Sequence, residues 1–590
     1  MRNLKRALSL ALAAVMVLSM MVVGAGAVSV DDFSDGADIV NKEAVTVLAS
    51  LNVINGKDDG SYDPTGIVTR AEMAKMICVV LNGGRDPQLG SVVADSYTDT
   101  VNHWAKAYIE YCTNLGIVAG RGDGTFAPND TVTMAEAAKM LLVAIGYNAD
   151  IEGYVGANWQ INTDVKANQQ DLYEGITATN TSVDLTRDNA AQMVYNALEC
   201  QMVKYEYVVT TDGSMVTTKP QVTTEGLGNV LQEKFGASKV EAIVVSNEVA
   251  ALNNSYTSAD DEGETTLEVL AIDGVKTNAG SGTYKVSTDK DLLGQNVVVY
   301  VQYKNTVGYD ESTAVVIGTP IPTSQNKVVV STDGTEVADV ADDNKLELTA
   351  DTTYLVNFGG YYGGVVYGGD PAGDSVATAD KDNTPVAMTK AQFDVAAKCV
   401  GTTVTLIDND GDKKVDYALA EKYSYGTVNK YATGDDAALR VQGLFKEGEY
   451  KAENVVGFDD VALNDQVLFC EYGGKLYVQK PETVEAKLDS YSTSKKNVKL
   501  DGETIKWSGL NGTVSNDQSW VGDYVTTAGV LNTTAVYHKD VNGYIFAVSE
   551  TDEALLTYAV LLGFENQTGS TSGNLGQSAR ARLLMADGTV

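Results

Sequence analysis

The chain has 590 residues, with 79 acidic against 43 basic side chains and a formal charge of −36. Such a charge disfavours nucleic acid and anionic lipid as partners, and suits a soluble, self-repelling extracellular protein able to take up divalent cations. Five cysteines without a CxxC pair exclude a disulfide scaffold of this size, and the length leaves room for three or four domains.

Arg2, Lys5 and Arg6 precede an apolar run from Leu8 to Val23, and Ala25-Gly26-Ala27 follows as a small-residue cleavage site. This pattern predicts a secretory signal peptide over residues 1–27. The run is long for such a segment, so an uncleaved anchor is the alternative. No other stretch approaches a membrane span.

Next come internal repeats. Phe33-Ser34-Asp35 matches Tyr97-Thr98-Asp99, and Asn52-Val53-Ile54-Asn55-Gly56 matches Gly116-Ile117-Val118-Ala119-Gly120. Asp59-Gly60-Ser61-Tyr62-Asp63-Pro64 matches Asp123-Gly124-Thr125-Phe126-Ala127-Pro128, all at an offset of 64 without a gap. Each unit reads as helix, turn, loop, helix. The first helices, about Ile39–Leu51 and Trp104–Leu115, end near Asn or Gly, and Gly56 and Gly120 follow as turn residues expected at positive φ. In the Asp-Gly-x-aromatic-x-Pro turn the aromatic packs back into the core. Cys78 and Cys112 fall in helical patterns and read as small buried hydrophobes. A single helical pair has too little core to stand alone, so the units must share one.

The second helix of each unit opens on a capping signal. Thr69 and Glu72, and Thr133 and Glu136, form capping boxes; Thr186 stands alone because Asn189 replaces the Glu. Helical spacing follows in Met73, Met76, Ile77 and Val80, in Ala137, Met140, Leu141 and Ala144, and in Ala190, Met193, Val194 and Ala197. Arg70 falls at the first helical position, where the macrodipole disfavours a cation by roughly 0.3–1 kcal/mol. Free N–H groups and a guanidinium together make an anion site there; the alternative is a solvated Arg.

These residues resemble the S-layer homology (SLH) family, whose pattern runs Phe-x-Asp, Trp-Ala, Gly-Ile-x-x-Gly, Asp-Gly-x-Phe-x-Pro, Ile-Thr-Arg-Ala-Glu. The likeness covers roughly residues 30–205. It includes His103-Trp104-Ala105 and Thr69-Arg70-Ala71-Glu72, with a third, weaker unit from Trp159 to Leu198 that retains Gly175 and Thr186-Arg187. It departs at Val40, where Trp is expected, at Met134, where Arg is expected, and in the third unit, which lacks the Asp-Gly turn. The resemblance implies a pseudo-threefold prism of helical repeats. Its inter-repeat grooves would bind a secondary cell wall polysaccharide, often pyruvylated, on a bacterium with a thick, Gram-positive-type wall. It also implies that Arg70 and Arg187 contact the ligand, and that Asp35, Asp99, Trp104, Gly56 and Gly120 line the grooves. Met134 then marks one groove as weakened or unused. For Trp104 and Trp159, packing in the core is the competing expectation.

After about Lys204 the texture turns β-rich, with period-2 alternation. Hairpins are expected at Gln295–Tyr303 with Ser312–Ile317, Thr402–Ile407 with Val415–Ala420, Gln466–Glu471 with Lys475–Gln479, and Ala535–His538 with Tyr544–Ser549. They read as successive β-sandwich or small-barrel modules. The resulting division is 1–27 signal peptide, 28–88, 89–150 and 151–205 as three repeats, then β-rich regions 206–320, 321–425 and 426–590. Gly359–Asp382 reads as a Gly/Tyr-rich surface insertion, with a sugar-stacking platform as its functional alternative. Asp408, Asp410, Asp412 and Asp416 have the spacing of a calcium loop, although Lys413 stands where Gly is wanted and Leu419 where a bidentate Glu is wanted; a hairpin turn explains them equally. The last residues, from Arg580, read as a strand, a turn and the start of another strand. They suit either a natural terminus or a chain that continues into a further domain.

The two histidines, His103 and His538, fall in different domains and assemble no triad, zinc or phosphate-loop motif. Two readings stand. One is a wall-anchored structural protein, S-layer-like and self-assembling, with no cofactor other than calcium. The other is a wall-anchored carbohydrate-active enzyme or glycan-binding adhesin, active through the β-rich region or beyond.

Overall fold

The computed structural model describes residues 30, 33–87, 95–178, 180–212, 215–252, 259–303, 314–358, 389–434, 436–442, 449–514, 518–549, 551, 559–566 and 579–585. The signal segment and the Gly/Tyr-rich insertion lie outside them. The chain divides into two compact units, residues 1–248 with 260–323, and 249–259 with 324–590. Among the described residues no helix is long and apolar enough to cross a membrane.

Among the described residues the first unit has six α-helices before its strands: α1 (Lys42–Ser50), α2 (Arg70–Leu81), α3 (Lys106–Asn114), α4 (Met134–Ile145), α5 (Trp159–Gln169) and α6 (Arg187–Glu199). Two fall in each repeat, and they pack across repeats: α2 against α3, α4 against α5, and α6 against α1. Helices α2 and α4 carry complete capping boxes, and Thr186 caps α6 through the Asn189 N–H alone. Helices α1 and α3 start later than the sequence predicts. A 3-10 turn at Gly36–Asp38 precedes α1, and a turn in which Lys106 N–H donates to His103 O precedes α3.

Backbone bonds close the three repeats into a ring. Val68 N–H donates to Leu185 O (2.9 Å), Leu185 N–H to Val132 O (2.9 Å), and Val132 N–H to Val68 O (3.1 Å). Each donor stands just before the capping Thr of its repeat, so this cyclic triad is the hub of a pseudo-threefold arrangement. Tyr62 and Phe126 pack back inside, fully buried, as do Cys78 and Cys112.

Gly56 and Gly120 correct an expectation. Neither has positive φ; the left-handed positions are Asn52 (59°) and Gly116 (72°), directly after the helices. Glycine is required at 56 and 120 by close approach. A Cβ on Gly120 would stand 2.5 Å from the Tyr97 ring and 2.7 Å from Thr125 O, and one on Gly56 would stand 2.8 Å from Phe33.

The helical core continues into the first β module. Val230, Leu231, Phe235, Ala237, Val298 and Tyr300 belong to the same apolar cluster as the helices. Tyr195 on α6 lies at a tilted edge contact with Tyr300, and its hydroxyl donates to Glu43 on α1 (2.6 Å). A two-stranded hairpin, β1 (Lys204–Asp212) and β2 (Met215–Thr223), separates the two in sequence.

All four expected hairpins form, and they belong to modules with one common frame. Module I has β3 (Ala237–Asn247), β4 (Thr265–Ile272), β5 (Val275–Tyr284), β6 (Asn296–Tyr303) and β7 (Ala314–Pro322) in the order β5-β4-β3-β6-β7. In the second unit, module II has β8 (Lys327–Ser331), α7 (Val337–Asp343), β9 (Thr353–Val356), α8 (Lys390–Ala397), β10 (Thr403–Asp408) and β11 (Tyr417–Glu421), ordered β8-β10-β11-β9. Module III has β12 (Ser424–Ala432), β13 (Ala438–Val441), β14 (Tyr450–Lys451), β15 (Val455–Val456), β16 (Gln466–Tyr472) and β17 (Lys475–Gln479). Module IV has β18 (Glu482–Ser492), β19 (Asn497–Leu500), β20 (Glu503–Lys506), β21 (Asn511–Gly512), β22 (Gln518–Trp520), α9 (Val521–Val525), β23 (Thr534–Lys539) and β24 (Ile545–Ser549). Their orders, β14-β13-β12-β16-β17-β15 and β20-β19-β18-β23-β24-β22, correspond, with two differences: β15 runs parallel to β17 whereas β22 runs antiparallel to β24, and β21 of module IV pairs with β12. A last hairpin joins β25 (Ala559–Asn566) and β26 (Ala579–Met585).

A single backbone device recurs in all four modules. A residue with positive φ, Gly294 (83°), Gly401 (90°), Asn464 (74°) or Asn532 (63°), stands just before the hairpin. Its N–H donates to a carbonyl of the module's first strand or the residue after it: Val244, Thr332, Val428 or Leu488, at 2.8–2.9 Å. In modules I, III and IV the first strand carries a register shift immediately after that carbonyl, which bends it from one pairing partner to the next.

Candidate functional site

The arginines of the repeats do not project freely into solvent. Arg70 is buried; its Nε donates to Phe126 O (3.1 Å) and its Nη2 to Ala119 O (3.0 Å), with the guanidinium carbon 4.5 Å from the Phe126 ring centroid. Arg187 repeats the arrangement one unit away. Nε donates to Tyr62 O (2.9 Å), Nη2 donates to Asn55 O (3.1 Å), and the carbon lies 5.0 Å above Tyr62. Each guanidinium therefore spends two of its five N–H donors on the fold and keeps the rest. Burial, reinforced by Arg121, pushes the Arg70 pKa down, against the pull of Glu136 and Asp130.

Asp35 and Asp99 act from the opposite side of the same turn. Asp35 accepts from the N–H groups of Tyr62 and Asp63 (both 2.7 Å), and Asp99 from those of Phe126 (2.9 Å) and Ala127 (2.8 Å). Their oxygens are committed to the backbone, and neither residue is among those lining the two clefts described next. This corrects the expectation that they would: they position the carbonyls that hold the arginines.

Two clefts result, and each is built from all three repeats. The first, about 210 Å³, has Gly56, Glu72 and Lys75 from the first repeat, Trp104 from the second and Arg187 from the third. The second, about 360 Å³, has Gly120, Arg121, Glu136 and Lys139 from the second repeat, Trp159 from the third and Arg70 from the first. The two are related by one step around the hub. The next step would combine Val40 and Met134, so both departures from the motif fall at one and the same inter-repeat position. There Val40 is 82% exposed and Met134 is buried.

Trp104 is 56% exposed at the mouth of its cleft, so it is not a core residue; Trp159 is half-buried, with Lys139 Nζ 5.9 Å from its ring centroid. Lys75, Lys139 and Arg121 were not evident as site residues from sequence. Lys75 and Lys139 share the 64-residue offset and one helical turn with Glu72 and Glu136, which is the signal that finds them. Burial pushes the Lys139 pKa down, against Asp150 and Glu136. Arg121 pairs with Asp130 (3.0 Å) and stands 3.8 Å from Glu136, which is also 4.0 Å from Arg70 Nη1. Both clefts carry more cations than anions in a chain of formal charge −36.

In the loop between β10 and β11, Asp408, Asp410 and Asp416 each bring an oxygen within 4.8 Å of the others. Asp412 does not join them; its carboxylate pairs with Lys414 (2.6 Å) because that side chain lies two residues on. Asp408 accepts from Gly411 and Lys413 N–H, and Asp416 from Asn409 N–H, which is the bonding of an acidic hairpin turn. His103 Nε2 contacts Asn129 and His538 Nε2 contacts Ser549, so each histidine serves its own surroundings.

The family model described as "S-layer homology domain" matches residues 32–74 and 96–138. A "Cell surface protein" of Thermoanaerobacter kivui is 28% identical over 369 residues, 61% of this chain and 42% of that protein. A "Middle cell wall protein" of Brevibacillus brevis is 26% identical over 265 residues, 44% of this chain and 24% of that protein. An "Exoglucanase XynX" of Acetivibrio thermocellus is 33% identical over 113 residues, 19% of this chain and 10% of that protein. The chain thus spans less than half the length of these relatives. With two matched repeats, a third closing the same backbone ring, and relatives named for the cell surface and wall, the chain is an S-layer homology domain protein of the cell surface.

Proposed function

We propose that the two clefts bind anionic units of a secondary cell wall polysaccharide and so anchor the protein non-covalently to the wall. One observation carries the reading: each cleft joins a guanidinium, an ammonium and an aromatic face from three different repeats. Arg and Lys in a partly dry cleft favour an anion, and an exposed indole gives a sugar ring a flat apolar surface. In an acidic chain, two clefts in which cations outnumber anions are favourable places for an anionic polymer. The β modules then supply a structural, S-layer-like ectodomain.

The test is a fluorescence titration of the full chain with purified wall polysaccharide. Trp104 sits at a cleft mouth, so binding shifts its emission. Lys75→Ala should reduce the emission shift to the part that comes from Trp159, which lines the second cleft. Emission unmoved at saturating polymer, with the chain folded by circular dichroism, would reject the clefts as the binding sites.

A further inference from the structure

The second unit holds a lysine with no evident structural task. Lys422 lies between β11 and β12 and is only 7% exposed. Its backbone is pinned: its N–H donates to Asn357 Oδ1 (2.8 Å), and Asn357 Nδ2 donates back to its carbonyl (3.2 Å). Among the described residues its Nζ meets no carboxylate. It points instead at the sulfur of Cys399, 3.4 Å away. Burying an amine without an acidic partner is costly, so the contact needs a reason beyond packing.

Cys399 differs from the other four cysteines. Cys78, Cys112, Cys200 and Cys470 are buried, whereas Cys399 is partly exposed. It follows α8 and is held in place from both sides: Thr402 N–H donates to its carbonyl (3.0 Å), and Gly509 N–H donates to the next carbonyl, Val400 O (2.6 Å). Thiol and amine are thus held in contact, at a residue that keeps partial exposure to solvent. A protein at the cell surface meets oxidants that intracellular reductants do not remove.

We propose that Cys399 and Lys422 form an oxidative covalent cross-link, an N–O–S bridge made with dioxygen. Dioxygen adds to the thiol to give Cys–S–O–OH, with no atom lost. The Lys422 nitrogen lone pair attacks the sulfur-bound oxygen; the N–O bond forms, the O–O bond breaks, and the departing hydroxide leaves as water with one amine proton. Thiol, amine and dioxygen thereby become Lys–NH–O–S–Cys and water, with sulfur and nitrogen each giving up two electrons. The bridge ties the end of α8 to the junction between modules II and III. In a chain whose described cysteines are all free thiols, it does the work of a disulfide by constraining the unfolded state.

The test uses the full chain, purified under nitrogen and then equilibrated with air. Proteolysis without reductant followed by mass spectrometry should yield one linked pair of peptides containing Cys399 and Lys422. The pair should be heavier by one oxygen and lighter by two hydrogens than the sum of the free peptides, and dithiothreitol should release both. Cys399→Ser and Lys422→Arg should lack it. Aeration should raise the melting temperature of the wild-type chain, and reductant should reverse the rise. If Lys422→Arg fails to fold, the nitrogen-kept wild type serves as the uncross-linked control. Complete alkylation of Cys399 by iodoacetamide after aeration would overturn the proposal, as would oxidised Cys399 beside a free Lys422.

Discussion

Arg187 Nε donates to Tyr62 O at 2.9 Å across 125 positions of sequence, and Arg70 Nε makes the same bond to Phe126 O at 3.1 Å. Each motif arginine therefore belongs structurally to the turn of a different repeat. The motif serves the fold before it serves any ligand.

Arg70→Ala removes a guanidinium from two carbonyls and an aromatic face in a buried place. Each buried carbonyl left without a partner costs about 1–3 kcal/mol, so the variant should lose several kcal/mol of stability in urea titrations. Among the described residues the Lys75 and Lys139 side chains make no hydrogen bond, only ring contacts with Tyr108 and Trp159, and their Ala variants should stay within about 0.5 kcal/mol of wild type. Equal stability of Arg70→Ala and Lys139→Ala would contradict the assignment of Arg70 to the fold.

Gly120→Ala should destabilise more than Gly56→Ala. At 120 the new methyl meets a backbone oxygen at 2.7 Å as well as a ring at 2.5 Å; at 56 the oxygen is 3.2 Å away and the ring is a movable side chain. Overpacking of this kind costs about 1–3 kcal/mol. Comparing melting temperatures of the two variants checks the order.

Acid should weaken the repeats through two carboxylates. The backbone N–H of Tyr62, opposed by burial and aided by Asp63, lowers the Asp35 pKa; at Asp99 burial raises it, but the N–H groups of Phe126 and Ala127 outweigh this and the net shift is also downward. A carboxylate with a depressed folded pKa contributes stability above its unfolded value, and that stability is lost as pH falls through the folded pKa. The melting temperature should therefore drop as pH goes below about 4, and less steeply in Asp35→Asn. Asp188 works in the opposite sense, since burial raises its pKa above the usual range despite the bonds from Asn41.

Asn532 occupies the left-handed region at the entrance to the β23–β24 hairpin. Asn532→Gly should be tolerated or slightly stabilising, whereas Asn532→Val should cost about 1–2 kcal/mol. Urea titration of the two variants in the full chain gives the comparison.

The repeats were legible in the sequence because each element carries its own local mark. Thr69 with Glu72 announces a helix start, and Tyr62 followed by Pro64 announces a turn that buries its ring. The cyclic exchange of arginines was not legible, because nothing local to Arg187 names Tyr62 as its partner. The role of Asp35 was missed for the same reason: the N–H groups it accepts from lie in another loop. In the β region the hairpins were visible from alternation. Their common frame was not, since it resides in backbone bonds to residues as unlike as Val244 and Thr332. Gly294 and Asn464 do the same work with different side chains, which masks the repeat.

The central claim is that the two clefts hold a wall polymer, and co-sedimentation with purified cell walls tests it most directly. The full chain is used, because the helical repeats share their core with the first β module. Wild type should pellet with intact walls and remain in solution with walls stripped of secondary polymer. The folded Lys75→Ala/Lys139→Ala variant should pellet at least tenfold less, which corresponds to about 1.4 kcal/mol of binding free energy. Undiminished pelleting of that variant, or equal binding of wild type to stripped walls, would contradict the account.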